Sequence, residues 1–578
     1  MSSDETYPMF EQFLQVWSRR RFFKAVAASA VWAAFRAGDV ECLAAQPNSP
    51  RLSAQAPAGP PRKGGQLVEG GFADVTTLNS LNTLDNVSTW IIILLGDGLL
   101  DITSAGELIP ALASEVPKPS ADQLTYTFKL RSGIEWSDGH PLTAEDVAFS
   151  YRLMFVPETK DFISLFRPAL EQFLSSVDAP DPATIVFRLK KPWAPFLAEY
   201  GRIRIQPKHM IGAVSPKALN THPFWSAPTV SSGPFKFVKW DKGQQVVLAR
   251  NDRYWRGPAL LDGYVMKLVP NAVVLAEQLR TGEVDVAQPD ATAWVSLASA
   301  KNIVRKSFLL PGATWYVYNL DPTKPSYKLF GDKNVRKALQ YSLDRVRIAR
   351  TIYFEQAVTG DCELPSVSWA YNSHLHNTYP FNKNRAEELL DAAGWVRGAD
   401  GVRAKGGTKL AFEILTNAGN KVRESILVAM QGMWKDVGVD ATPRPIQNSQ
   451  LVAQLTSIRT FDVMLRVALA NSPDPDELLG GFFTTSGTVT GGLNGMHYSN
   501  PEVDKLIDQA AATTSPSVRK EIYARVQDLL SDDLPAAPLV YQKGVWGINK
   551  RVVGWNVGPY NTTNNRPWIK DVWLAGTK

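Results

Sequence analysis

The stretch YTFKLRSGIEWSDGHPLTAEDVAFSYRLM (126–154) decides the reading of this chain, because a serine, a histidine and three acidic residues crowd into the eleven residues 136–146. Such a cluster suits either a catalytic loop or the capped start of a helix. Local physics favours the helix. Ser137-Asp138-Gly139 and Pro141 form a turn, and Thr143 followed three positions later by Asp146 has the spacing of a capping box, in which each side chain satisfies a free backbone N–H. Val147, Tyr151 and Met154 then recur at the i, i+4, i+7 spacing of one buried face. Glu145 and Asp146 fall in the first turn, where the helix dipole favours negative charge. Asp138 and His140 remain acid/base candidates, but nothing beside them in the sequence orients a proton-transferring pair.

Outward from this stretch, 578 residues supply enough chain for several packed layers. A hydrophobic fraction of 44% and a charged fraction of 20% describe a globular protein rather than a disordered one. Lys+Arg 62 against Asp+Glu 56 gives +6 with no dense basic run, so nucleic acid is not an expected partner. Histidines 140, 209, 222, 374, 376 and 497 are scattered, and Cys42 and Cys362 build no zinc site. HExxH, GxSxG, GxGxxG and the phosphate-binding GxxxxGK pattern are absent, and no cofactor is expected. Seventeen tryptophans stand out, because Trp joins a large apolar face to one polar handle and suits both cores and ligand clefts.

At the N-terminus, SRRRFFKAVAASAVWAAF (18–35) resembles a twin-arginine export signal: paired arginines, aromatics and a lysine precede an Ala-rich run too short to span a bilayer. Cleavage is expected after Ala44-Ala45 or within SAQA (53–56), with 47–65 as a flexible lead-in. Asp39-Val40-Glu41 before Cys42 does not suit a lipoprotein signal, so a soluble periplasmic protein is expected. Cys362 is then left without an intramolecular disulfide partner.

Beyond Gly64-Gly65 short β-like runs alternate with capped helices, which indicates an α/β chain. TIVFRLKKPWAPFLAEYG (184–201) reads as strand, proline break and helix, and GPFKFVKWDKGQQVVLARNDRYW (233–255) as a hairpin bending at Asp241-Lys242-Gly243. In NKNRAEELLDAAGW (382–395) Gly394 ends a helix. In TTSPSVRKEIYARVQDLL (513–530) Ser515 caps a helix whose apolar stripe is Val518, Ile522 and Val526, and Ser517 and Lys520 are ordinary first-turn residues of it.

Five segments in register carry a resemblance: the opening stretch, SSGPFKFVKWDKGQQVVLARNDRYWRGP (231–258), NVRKALQYSLDRVRIA (334–349), YPFNKNRAEELLDAAGW (379–395) and RKEIYARVQDLLSDDLPAAPL (519–539). Together they resemble the family 5 solute-binding proteins of ABC importers. The resemblance implies a two-lobed α/β periplasmic-binding-protein fold, type II and cluster C-like, with an extra domain inserted in lobe one. Lobe one is expected over 57–100, 222–313 and 535–578, the insert over 101–221 and lobe two over 314–534, after a signal and linker at 1–56. Crossings near 313 and 535 would form the hinge. The implied activity is capture of a small-molecule or peptide ligand by a monomer and its delivery to a membrane permease, with no chemistry done on it.

In peptide-binding members an aspartate shortly before a D/E-P pair meets the ligand's α-ammonium. The matching stretch LANSPDPDELL (469–479) has Asp474-Pro475 as the pair and Asn471 at the aspartate position. Asn supplies no counter-charge, so Asp474 or Asp476 would have to substitute. The resemblance also brings forward Phe72, Ala73 and Asp74 in GGFADVTTLNSL (70–81), Trp315, Tyr318 and Asn319 in TWYVYNLD (314–321), and Trp369 and Tyr371 in the loop 361–380 as cleft residues. Two other outcomes stay open: the same importer role with an oligosaccharide, an opine or a metal complex touched by His374 and His376, and an exported hydrolase using Asp138 and His140.

Overall fold

A computed structural model describes residues 59–83, 85–489, 492–561 and 566–576, so the export-signal expectation lies outside the described residues. The opening stretch folds as its pattern requires. Thr125–Lys129 is a strand, and Ala144–Arg152 is a helix whose capping box is closed by Asp146, which accepts from the Thr143 N–H at 2.9 Å. The second Asp146 oxygen accepts from the Lys208 N–H at 3.0 Å, tying the helix start to the next segment. Val147, Tyr151 and Met154 are fully buried. They pack on a three-stranded antiparallel sheet in the order Thr125–Lys129, Thr184–Leu189, Leu174–Asp181, where Tyr151 meets Phe187 edge-on at 4.7 Å.

A twelve-stranded sheet forms the rest of the frame. At one end Gln66–Gly71 runs parallel to both Gly263–Leu268 and Val286–Ala287, followed by the hairpin strands Gln245–Arg250 and Phe235–Asp241. At the other end Ala411–Asn417 runs parallel to Asp440–Ile446 and Val463–Leu469, and Gly312–Tyr318 pairs antiparallel with the latter. One strand of 14 residues, Ala536–Asn549, joins the two halves. Its first residues pair with Gly312–Tyr318 and its last with Ile303–Leu309 and Val286–Ala287. Gly312 sits at this junction for a steric reason: a Cβ there would lie 2.1 Å from the Ala468 carbonyl oxygen.

Each half has its own core. Trp90, Trp546 and Trp555 surround the Arg566 guanidinium at 5.2–5.5 Å, and Arg566 is paired with Glu69 at 2.6 Å, both fully buried. Trp315, Tyr316, Tyr318 and Trp434 centre the other core. The helix Pro516–Asp533 forms as expected, but its buried stripe is Arg519, Tyr523, Val526 and Leu530, while Val518 is 45% exposed. The helix is rotated because Arg519 is drawn inward by an acidic partner. Gly394 does end its helix in the left-handed region, at φ 83°. Cys362 is a buried free thiol pushed up to about 12 by burial, and therefore inert. Among the described residues no helix is long and apolar enough to cross a membrane.

Candidate functional site

In open α/β sheets ligands bind beyond the carboxyl ends of the parallel strands. Here those ends are Gly71 on one half and Asn417, Ile446 and Leu469 on the other, with Leu469 in register with Gly312 at the junction. The segments leaving these ends supply the candidate site. Past Gly71, Phe72 is 46% exposed and rests edge-on against Trp90 at 5.8 Å, and Ala73 is exposed. Asp74 is committed to structure: its carboxylate accepts from Val75 N at 2.8 Å and from Gly243 N at 2.7 Å, locking the hairpin bend.

The stretch 469–479 meets the region 101–221. Arg202 donates to the Asn471 carbonyl at 2.7 Å, and Ala194 N donates to the Ala511 carbonyl at 2.7 Å. Asn471 is held on its own helix, its backbone and side-chain N–H groups donating to Glu477 at 2.8 and 3.0 Å. Asp474 is committed to an ion pair. It forms a bidentate pair with Arg519, 2.7 Å for each bond, both side chains nearly buried, and Arg519 also donates to the Tyr523 hydroxyl at 2.8 Å. Trp369 covers this pair, donating to the Pro473 carbonyl at 2.9 Å with its ring 5.5 Å from the Arg519 guanidinium.

Two other carboxyls lie in the same seam. Glu199 Oε1 and Asp476 Oδ1 are buried without a hydrogen-bond partner among the described residues. Burial, reinforced by the Asp474 charge, pushes Asp476 up to about 7. Burial and the charges of Asp476, Asp474 and Glu477 hold Glu199 well above the usual carboxyl range, and burial raises Glu477 as well. Glu199, Asp476 and Glu477 nonetheless retain partial solvent contact, as groups at the floor of a cleft do. Sequence reasoning missed Glu199, Arg202 and Glu477, since nothing in a lone Glu-Tyr-Gly-Arg run marks it as the partner of residues some 270 positions on. A surface depression of about 610 Å3 lined by Arg152, Glu171, Val177 and Lys190 shares no residue with this seam.

The remaining expected residues lie elsewhere. Trp315, Tyr318 and Asn319 have no exposed surface: Trp315 is clasped by Phe482 and Phe483, Tyr318 donates to the Arg336 carbonyl, and Asn319 donates to the Arg459 and Phe461 carbonyls. All seven residues of Gly312–Tyr318 are buried, because both faces of this strand are covered. Tyr371 is half-buried, and burial pushes it up to about 12. His374 and His376 are exposed, the latter 2.9 Å from Asp361. Asp138 lies 2.8 Å from His209 and 3.1 Å from His140, whose rings stack at 4.3 Å, while Ser137 Oγ accepts from Ser231 N and braces the turn.

One buried acid is unused by any of these groups. Glu363 is fully buried with both carboxyl oxygens unpaired among the described residues, and burial pushes it up to about 8. Because the folded value exceeds the unfolded one, stability is full below the ordinary glutamate range and falls as pH rises through about 8. Glu363→Gln is therefore expected to raise the melting temperature at pH 8.5, by about 1–3 kcal/mol of stability, and to change little at pH 4. Equal melting at both values would show that Glu363 finds a partner when charged.

The comparisons with known proteins place the family and the fold. The profile of bacterial extracellular solute-binding proteins, family 5 (middle part), matches residues 107–489. The oligopeptide-binding protein AppA of Bacillus subtilis (strain 168) is 30% identical over 537 residues, 91% of this chain and 95% of that protein. The structure of AppA from Bacillus subtilis in complex with a nonapeptide aligns with a TM-score of 0.78 at 29% identity, covering 89% of this chain and 100% of that one. DppA from Helicobacter pylori in complex with the peptide STSA gives 0.76 at 25% identity, covering 89% and 99%. NikZ from Campylobacter jejuni in complex with Ni(L-His) gives 0.74 at 25%, covering 85% and 96%. The fold is that of the two-lobed periplasmic binding proteins. This chain belongs to family 5 of the bacterial extracellular solute-binding proteins.

Proposed function

We propose that the protein is the extracytoplasmic solute-binding component of an ABC importer and that it captures a peptide whose α-ammonium enters the seam between Glu199 and Asp476. The observation that carries this is the pair of buried carboxyl oxygens without partners among the described residues, Glu199 Oε1 and Asp476 Oδ1. A cation placed there would relieve the cost of leaving buried acceptors unmade and the repulsion from neighbouring carboxylates, Asp476, Asp474 and Glu477 on Glu199 and Asp474 on Asp476. Relatives named as peptide-binding proteins support the same ligand class. Asn471 then shapes the helix start through Glu477, and the counter-charge comes from its neighbours. Phe72 and Ala73 approach the ligand from the opposite half.

The lobes follow 57–100, 222–313 and 535–578 for the first, with 101–221 inserted, and 314–534 for the second. Ligand favours closure by binding the closed form better than the open one, as any ligand-driven population shift requires. The loaded monomer docks on its permease and does no chemistry on the cargo. Export follows the twin-arginine route, as the residues 18–35 suggest.

Titration with short peptides, each free and N-acetylated, followed by tryptophan fluorescence, tests this. Free peptides should bind roughly ten-fold tighter or better, the worth of one charge-assisted hydrogen bond. The preference should shrink as pH falls below about 7, where Asp476 takes up a proton, and Asp476→Asn should remove it. Indifference to acetylation in the wild-type protein would move the cargo to another solute class.

A further inference from the structure

We infer that Asp138, His140 and His209 form a surface site for a divalent transition-metal ion of the zinc class, sharing no residue with the seam of Glu199 and Asp476 and independent of what that seam binds. Asp138 and His140 belong to the turn between the strand Thr125–Lys129 and the helix Ala144–Arg152, while His209 lies 71 positions beyond Asp138 in the short helix Lys208–Ile211. Backbone bonds hold the two segments together. Asp146, besides closing the capping box, accepts from the Lys208 N–H at 3.0 Å and so sets His209 beside the turn. Ser137 anchors the turn from the other side, its N–H donating to the Ser231 carbonyl at 2.8 Å and its Oγ accepting from the Ser231 N–H at 3.0 Å.

The donor atoms converge as a metal requires. Asp138 Oδ2 lies 2.8 Å from His209 Nε2 and 3.1 Å from His140 Nδ1, and one ligand atom of each residue is within 4.8 Å of the other two. A tetrahedral ion with bonds of about 2.0–2.2 Å spaces its ligands about 3.4 Å apart, so small side-chain rotations admit it. The two imidazole rings stack at 4.3 Å, 21° from parallel, with a nitrogen of each directed to the same carboxylate oxygen. The other oxygen of Asp138 accepts from the His140 N–H at 3.1 Å, which orients the carboxylate as outer contacts orient metal ligands. Burial, which raises Asp138, is outweighed by hydrogen bonds from His209 and the His140 N–H, and the carboxyl is held below its usual range, as an anion. Neighbouring cations are paired off: Lys208 with Glu145 at 2.9 Å, and Arg253, which packs over Gly139, with Glu135 at 2.7 Å. The His140 side chain is 61% exposed, which gives an ion its way in from solvent. Two imidazoles and one carboxylate leave a fourth position for water and suit zinc, whereas calcium and magnesium seek oxygen ligands.

Full-length protein stripped by a chelator is titrated with zinc chloride in a calorimeter, and with calcium and magnesium chloride beside it. The proteins are wild type, His140→Ala, His209→Ala and the double variant His374→Ala/His376→Ala, which removes the other exposed histidine pair. Outer contacts alone are worth about 10–100-fold in metal affinity, so loss of His140 or His209 should weaken one zinc-binding event by about 100-fold or more. The His374/His376 variant should keep that event, and calcium and magnesium should not reproduce it. Zinc should raise the melting temperature of wild type and not of His140→Ala, because only a bound ion stabilises the folded state. Without zinc these two should melt alike, since the His140 ring stands mostly in solvent. If His209→Ala fails to fold, His140→Ala decides alone, and cobalt(II) should give the visible bands of a four-coordinate ion in wild type but not in that variant. Equal zinc affinity in wild type and His140→Ala overturns the site, as does loss of zinc only in the His374/His376 variant. Calcium or magnesium binding as tightly as zinc overturns the metal class.

Discussion

Asp474→Ala is expected to cost about 3–5 kcal/mol of stability, the usual penalty for removing one partner of a buried ion pair. The loss comes less from the bonds broken than from the Arg519 guanidinium left behind, nearly buried beneath Trp369 and beside Tyr523 without the carboxylate that holds both its nitrogens. Arg519→Met introduced together with Asp474→Ala should recover most of the loss, since the apolar stem keeps the packing and no charge remains to be solvated. A melting series on the two single variants and the double variant reads this directly. Asp474→Ala also lifts the like charge felt by Asp476, so Asp476 should titrate lower in that variant. If Asp474→Ala melted like the wild type but lost free-amine peptides, Asp474 would be a ligand group after all.

Trp315→Ala is the second large effect, about 3–5 kcal/mol as for other large-to-small changes at fully buried aromatics. Trp315 has no exposed surface, and its rings of contact are Phe482 edge-on at 5.7 Å and Phe483 at 5.6 Å. The cavity would open beneath the helix Asp476–Phe483, so ligand affinity should fall along with stability. Trp315→Phe refills part of that space and should restore binding before it restores the full melting temperature. Loss of binding in both variants at unchanged melting temperature would instead make Trp315 a contact residue.

These two residues show what the sequence could and could not reveal. The capped helix at 144–152 was legible because its signals lie within three or four positions of one another, and so was the left-handed glycine at 394. The family resemblance rests on the same kind of short-range signal repeated five times. An aspartate before a proline, in contrast, fits a ligand anchor and an ion pair equally well, and its arginine lies 45 positions downstream. The aromatics of 314–318 gave no alternation to read, because a strand covered on both faces buries every side chain. Glu199 and Asp476 become candidates only once the π-helical turn at 196–200 is seen beside the helix Asp476–Phe483, close enough for the Asp476 charge to act on Glu199.

The strand Ala536–Asn549 has a further consequence, for the order of events in folding. It completes the sheets of both halves, lying between Gly312–Tyr318 and Val286–Ala287, yet it follows every other strand of this sheet in the sequence. Neither half can close its sheet until this strand has been made. Long-range pairing of this kind makes folding slow and leaves strand edges exposed meanwhile. The protein should therefore acquire its structure as one cooperative event, with the two lobes gaining and losing order together.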